Sequence, residues 1–182
     1  MISENRILKL LPFLLVSLIF SGCSRKEPIH KSGFYFDTII SITLYDPSKT
    51  AELEHCFTLA QQYENYFSTS KPDSDVSQIN AAAPHPVQVH KETLELIQKG
   101  LSYAAISNGK FDITIGKLAR LWDFQSETPT VPNAEEIAKA AAAVDDRKVI
   151  VNGNEVTLTD PDAALDLGGI AKGYIADKMK EY

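Results

Sequence analysis

The sequence predicts an α+β domain, a mostly antiparallel sheet flanked by helices. Three observations carry this. Residues 33–46 are dense in aromatic and β-branched side chains and close at Asp46-Pro47, which reads as a strand. Residues 148–151 and 155–158 are short strand-like runs around Asn152-Gly153, a type I′ hairpin signal. Between them, Leu53, Cys56, Phe57, Ala60, Tyr63 and Phe67 recur at helical spacing, as do Leu94, Ile97, Leu101 and Ala104; each set forms one apolar stripe. A chain of 182 residues suffices for one domain, and no repeat or low-complexity segment divides it. Its 44% hydrophobic and 23% charged content is ordinary for a soluble fold. The net charge of −6 and the lack of a basic stripe exclude a nucleic-acid partner.

In order along the chain, Arg6 and Lys9 precede an apolar run at residues 10–20, and Ser21-Gly22-Cys23 follows. This is a secretory signal, its apolar run too short for a permanent span. A small pair before Cys is the processing pattern of bacterial lipoproteins. Residues 1–22 are therefore expected to be a lipoprotein signal peptide and Cys23 the lipidated first residue of the mature chain; an export signal with an incidental cysteine is the alternative. Residues 23–32 read as a polar tether, and the domain proper as residues 33–182. With Cys23 acylated, Cys56 has no disulfide partner and reads as a buried, inert thiol.

Within the first strand, Ile40, Ile42 and Leu44 alternate toward the core. Ser48 or Thr50 caps the helix that ends near Phe67. A hydroxyl-rich loop follows, in which Ser68, Thr69 and Ser70 are candidate ligand contacts or simply solvated turn residues. Asp73, Ser74 or Asp75 caps a short helical turn carrying Val76 and Ile79. Val87-Gln88-Val89 is a brief extended piece, and the helix at 91–107 ends at Asn108-Gly109. Asp112 then stands among the apolar residues of Lys110-Phe111-Asp112-Ile113-Thr114-Ile115, upstream of the only tryptophan, Trp122. It is either a buried cap or a ligand-binding carboxylate with an aromatic wall. Asn133 caps an alanine-rich helix, with Glu135 and Glu136 in its first turn. The last helix reaches Tyr182 without a Gly, Asn or Pro stop signal, so a continuation that returns to the sheet is expected.

The stretch Leu165-Asp166-Leu167-Gly168-Gly169-Ile170-Ala171-Lys172-Gly173-Tyr174 organises the rest. A carboxylate at a strand end is followed by two glycines and a helix start carrying Lys172. Glycines admit close backbone approach, a helix N-terminus offers free N–H groups to an anion, and lysine adds a positive point charge. These features fit a phosphate cradle beside a carboxylate. The pattern is not the Gly-x-x-x-x-Gly-Lys-Ser/Thr phosphate loop, and a plain strand–turn–helix would use the same residues.

Several stretches taken together resemble the FAD:protein FMN transferases, the ApbE-type flavin lipoproteins. They are Phe36-Asp37-Thr38, Phe67-Ser68-Thr69, Ser74 to Asn80, Gly109 to Leu118, Leu121-Trp122-Asp123-Phe124 and Leu165 to Tyr174. The resemblance covers residues 33–182 and implies an ApbE, T-fold-like architecture whose C-terminal part lies outside this sequence. It implies Mg²⁺-dependent transfer of FMN, from FAD as substrate, to a threonine hydroxyl of an acceptor subunit in a membrane redox complex. A non-catalytic flavin-binding lipoprotein and an FAD pyrophosphatase giving FMN and AMP are the alternatives. By the same resemblance Lys110, Phe111 and Asp112 contact FAD. Asp166 is the catalytic candidate and, with Lys172, a flavin or phosphate contact, and the Gly169 carbonyl is one Mg²⁺ ligand. Phe36 and Ser70 stand where the family often has Met and Tyr at the flavin site. The remaining metal ligands, an Asp and a Thr, belong to a later motif absent from these residues. The leader and the resemblance imply a lipid anchor in the bacterial cell membrane, facing the periplasm or extracytoplasmic side.

Overall fold

The computed structural model describes residues 26–124 and 126–182; the expected signal peptide and Cys23 lie outside them. The predicted mixed, antiparallel architecture is present, as two small sheets embedded among helices.

The expected first strand is a hairpin. β1 (Ile29–Tyr35) and β2 (Thr38–Leu44) pair antiparallel. The chain reverses at Phe36 and Asp37, whose φ values are 53° and 55°, positive φ at both loop positions as a type I′ turn requires. Sequence reasoning missed this turn because it expects Asn-Gly there, and Phe-Asp carries no such signal. The hairpin also starts earlier than the tether allows: Ile29 to Ser32 lie within β1. Ile40, Ile42 and Leu44 face inward as expected.

α1 (Thr50–Phe67) buries the predicted stripe of Leu53, Cys56, Phe57, Ala60, Tyr63 and Phe67. Burial pushes the Cys56 thiol pKa up, as an inert core thiol requires. β1 packs on one side of α1, and α6 (Gly168–Glu181) crosses another. Ser74 caps α2 (Asp75–Ala82) by accepting from the Ser77 N–H. In α3 (Lys91–Ile106) the buried stripe is Thr93, Leu96, Ile97, Gly100 and Ala104. It is rotated from the expected one, so that Leu94 and Leu101 flank the core. Asn133 and Glu136 form a reciprocal capping box on α5 (Ala134–Ala142).

The second sheet runs β3 (Val87–Gln88), β5 (Glu155–Leu158), β4 (Val149–Asn152), all antiparallel. Its hairpin loop is Gly153-Asn154, one residue later than predicted, because Asn152 pairs with Glu155. Gly153 alone takes positive φ, 61°, which only glycine adopts without cost. Val156, Leu158, Leu165 and Leu167 are fully buried and join α2, α3 and α6 in one core. α4 (Gly116–Arg120) follows a parallel bridge between Ile115 and Ala164.

Candidate active site

The segment ahead of α6 is extended but unpaired by strands. It is held instead from two directions. On one side the Asn80 side chain accepts the Leu165 N–H at 2.6 Å and donates to the Leu165 carbonyl at 3.0 Å, copying what a neighbouring strand would offer. On the other, the Asp166 N–H donates to the Ile113 carbonyl and the Gly116 N–H to the Ala164 carbonyl, both at 2.8 Å. A Cβ on Gly116 would stand 2.8 Å from the Ala164 oxygen, so only glycine permits this backbone approach. Every backbone group so used leaves Asp166 projecting from a fixed frame.

α6 begins at Gly168 itself. Asp166 Oδ1 accepts the Gly168 N–H at 2.7 Å, and the Leu167 carbonyl takes the N–H groups of Ile170 and Ala171. The glycine pair makes room for side chains. A Cβ on Gly168 would meet Asp166 Oδ1 at 3.0 Å, and one on Gly169 would meet the Phe111 ring at 3.2 Å.

Two cavities share Asp166 and Gly168. The first, about 200 Å³, is lined by Phe36, Asp37, Phe67, Ser68, Thr69, Ala171 and Lys172 as well. The second, about 350 Å³, adds Lys110, Phe111, Asp112, Ile115 and Gly169. The structure thus gathers Phe36, Lys110, Phe111, Asp112, Asp166, Gly169 and Lys172 around one turn. Ser70 is exposed, hydrogen-bonds to Ser68 at 2.9 Å and lines neither cavity; Ser68 and Thr69 face the cleft in its place. Asp112 is committed to the protein. Its Oδ1 accepts the Thr114 N–H and hydroxyl, both at 2.7 Å, and Oδ2 accepts the Asp146 N–H at 3.0 Å. It caps the turn at Thr114 and lines the second cavity. Asp37 and Asn80 had no assigned role in the sequence, and the positive-φ turn and the side-chain bridge that give them one have no local signature. Among the described residues no cluster of three or more His, Cys, Asp or Glu could hold a metal ion.

The ApbE family model matches residues 36–182, a span that begins at the Phe36 turn and contains the whole cleft. The chain belongs to the ApbE family. Among curated relatives, an FAD:protein FMN transferase of Klebsiella pneumoniae is 36% identical over 129 residues, 69% of this chain and 41% of that protein. The FAD:protein FMN transferase of Treponema pallidum is 30% identical over 170 residues, 87% of this chain and 47% of its own length. Among solved structures, a mutant of the flavin transferase ApbE from Vibrio cholerae superposes with a TM-score of 0.77 at 26% identity, covering 86% of this chain and 56% of that one. The ApbE protein of Thermotoga maritima gives 0.78 at 28% identity, over 85% and 52%. This ApbE chain spans about half the length of the curated relatives it matches.

Proposed function

We propose that this ApbE chain provides the FAD-binding face of a Mg²⁺-dependent transferase that moves FMN from FAD to a threonine hydroxyl of a target protein. The observation that carries the reading is the shared turn: Asp166 and the helix start at Gly168 stand at the boundary of two cavities, with Lys172 in the first. FAD has the matching form, two ring systems joined by a pyrophosphate. Phe111, packed on Gly169 and edge-on to Tyr103 at 6.2 Å, offers an aromatic wall on one side. Hydroxyls of Ser68 and Thr69 and the Lys172 ammonium serve the polar side.

In the reaction the threonine Oγ forms a bond to the FMN phosphorus, the P–O–P bridge breaks and AMP leaves with the bridging oxygen. The hydroxyl proton passes to a carboxylate, and Asp166 is the carboxylate common to both cavities. Phosphoryl transfer of this kind asks the protein mainly for position and charge neutralisation. Asp37 and Asp166 oppose a single lysine in the first cavity, so a pyrophosphate there needs added positive charge. Mg²⁺ takes hard oxygens beside substrate phosphates and water; by the resemblance the Gly169 carbonyl, at the second cavity, would be one of them, and an ion bound near Asp166 would supply that charge. Cys23 would hold the protein at the extracytoplasmic face of the membrane, near an acceptor subunit of a redox complex.

The test is full-length protein incubated with FAD, Mg²⁺ and a threonine-bearing acceptor peptide, with peptide and small-molecule products weighed. Acceptor gaining one FMN, with AMP released and both lost in D166A, is the expected result. FMN and AMP without acceptor gain would make it a pyrophosphatase; bound but uncut FAD would make it a carrier; no FAD binding would end the reading.

A further inference from the structure

Glu64 stands one turn from the end of α1, outside the cleft, with a side chain only 16% exposed. Its Oε1 accepts the Phe36 N–H at 2.8 Å. Its Oε2 pairs with Lys71 Nζ at 2.6 Å and accepts from Gln61 Nε2 at 3.3 Å. Phe36 lines the first cavity, and Lys71 lies just beyond Ser68 and Thr69, which line it too. Phe36 and Asp37 form one wall, in a left-handed backbone conformation that a non-glycine residue keeps only when its surroundings hold it. Lys71 closes the loop that carries Ser68 and Thr69, and its own N–H donates to Ser68 Oγ at 3.3 Å. Lys71 Nζ reaches back to Asn65 Oδ1 at 2.9 Å, so the loop is tied to α1 twice. One carboxylate therefore ties the Phe36-Asp37 turn to the loop whose Ser68 and Thr69 line the same cavity.

We propose that Glu64 is a positioning residue for FAD: it sets the separation between the Phe36-Asp37 turn and the loop at residues 68–71, and so the width of the flavin cavity. The proposal rests on the FAD reading of the cleft. Glu64 touches neither substrate nor reacting atoms; it acts through Phe36 and Lys71. A carboxylate serves here because it can take a backbone N–H on one oxygen and an ammonium on the other.

The experiment uses full-length protein, flavin fluorescence to follow FAD binding, and steady-state assays to separate KM from kcat. E64Q keeps an oxygen for the Phe36 N–H and loses the ion pair; E64A loses both; K71M removes only the ammonium. E64Q and K71M should each weaken FAD binding about three- to tenfold, with E64A weaker still. KM for FAD should rise by the same factor while kcat stays within about twofold, since the reacting groups are intact. The E64Q/K71M double variant should be no worse than K71M alone, because K71M already removes the Glu64 ion pair together with the Asn65 contact. Unchanged FAD affinity in E64Q, K71M and E64A, with wild type binding FAD, overturns the proposal alone; so does a fall in kcat at constant KM. Should E64A fail to fold, E64Q and K71M decide by themselves. Wild type that binds no FAD overturns the functional reading and this inference together.

Discussion

Asp112 and Glu64 show opposite limits of reading a single residue. Asp112 sits in a conspicuous motif, yet its oxygens are taken by Thr114 and Asp146. Glu64 sits in an unremarkable stretch of helix and ties two walls of the cleft. A motif reports residue type and spacing; it cannot report which donors arrive from 34 residues away, as the Asp146 N–H does. Asp166, Lys172 and the glycine pair were legible because their chemistry is local to one turn. Burial opposes the ionisation of Glu64, but Lys71, the Phe36 N–H and Gln61 outweigh it and hold the carboxyl below the usual glutamate range. A depressed carboxyl stabilises the fold above the unfolded-state value and loses that contribution as pH falls through the folded one. The difference in unfolding midpoint between wild type and E64Q should therefore be full at pH 7 and shrink below about pH 4.3. Thermal melts of both proteins across that range give the answer; a constant difference would show that ionisation of Glu64 contributes nothing.

Among the elements, helices were read more faithfully than turns. The α1 stripe matched residue for residue because an 18-residue helix averages over many positions. The Phe36-Asp37 turn was missed because a two-residue reversal is announced by a pair such as Asn-Gly or Asp-Gly, and here Asp37 is the one turn residue of the pair. Its cost is a prediction. Asp37 holds φ 55°, and glycine adopts that region freely, so D37G should stabilise the protein by about 0.5–1 kcal/mol. Chemical denaturation measures it, and a lower midpoint than wild type would mean the Asp37 side chain contributes more than its backbone costs. The second hairpin was found and misregistered by one residue. Both Asn152-Gly153 and Gly153-Asn154 carry turn residues, and the pairing of Val151 with Val156 chooses between them by burying Val156.

On the scale of the whole molecule, two sheets are joined through helices and do not merge. A two-stranded sheet is marginal by itself; β1 and β2 persist because Tyr35 packs at 6.0 Å from Phe57, Lys31 pairs with Glu54, and Glu64 holds the turn. Their outer face carries Phe34 and Ile39, directly cross-paired and 68% and 71% exposed. Replacing both with threonine, F34T and I39T, should change stability by no more than about 0.5 kcal/mol, since neither is buried and threonine suits a strand. Light scattering should show less self-association in the double variant, and a large loss of stability would mean that this face packs against something.

The bridge from Asn80 to Leu165 joins positions 85 residues apart. On a growing polypeptide made at roughly 5–20 residues per second, Asn80 therefore waits on the order of 4–17 s for its partner to be synthesised. The helices α1, α2 and α3 have all been made by then, as have Ile113 and Gly116, which hold the other side of the segment. The Asp166 turn is consequently fixed only after the elements that frame it have been made.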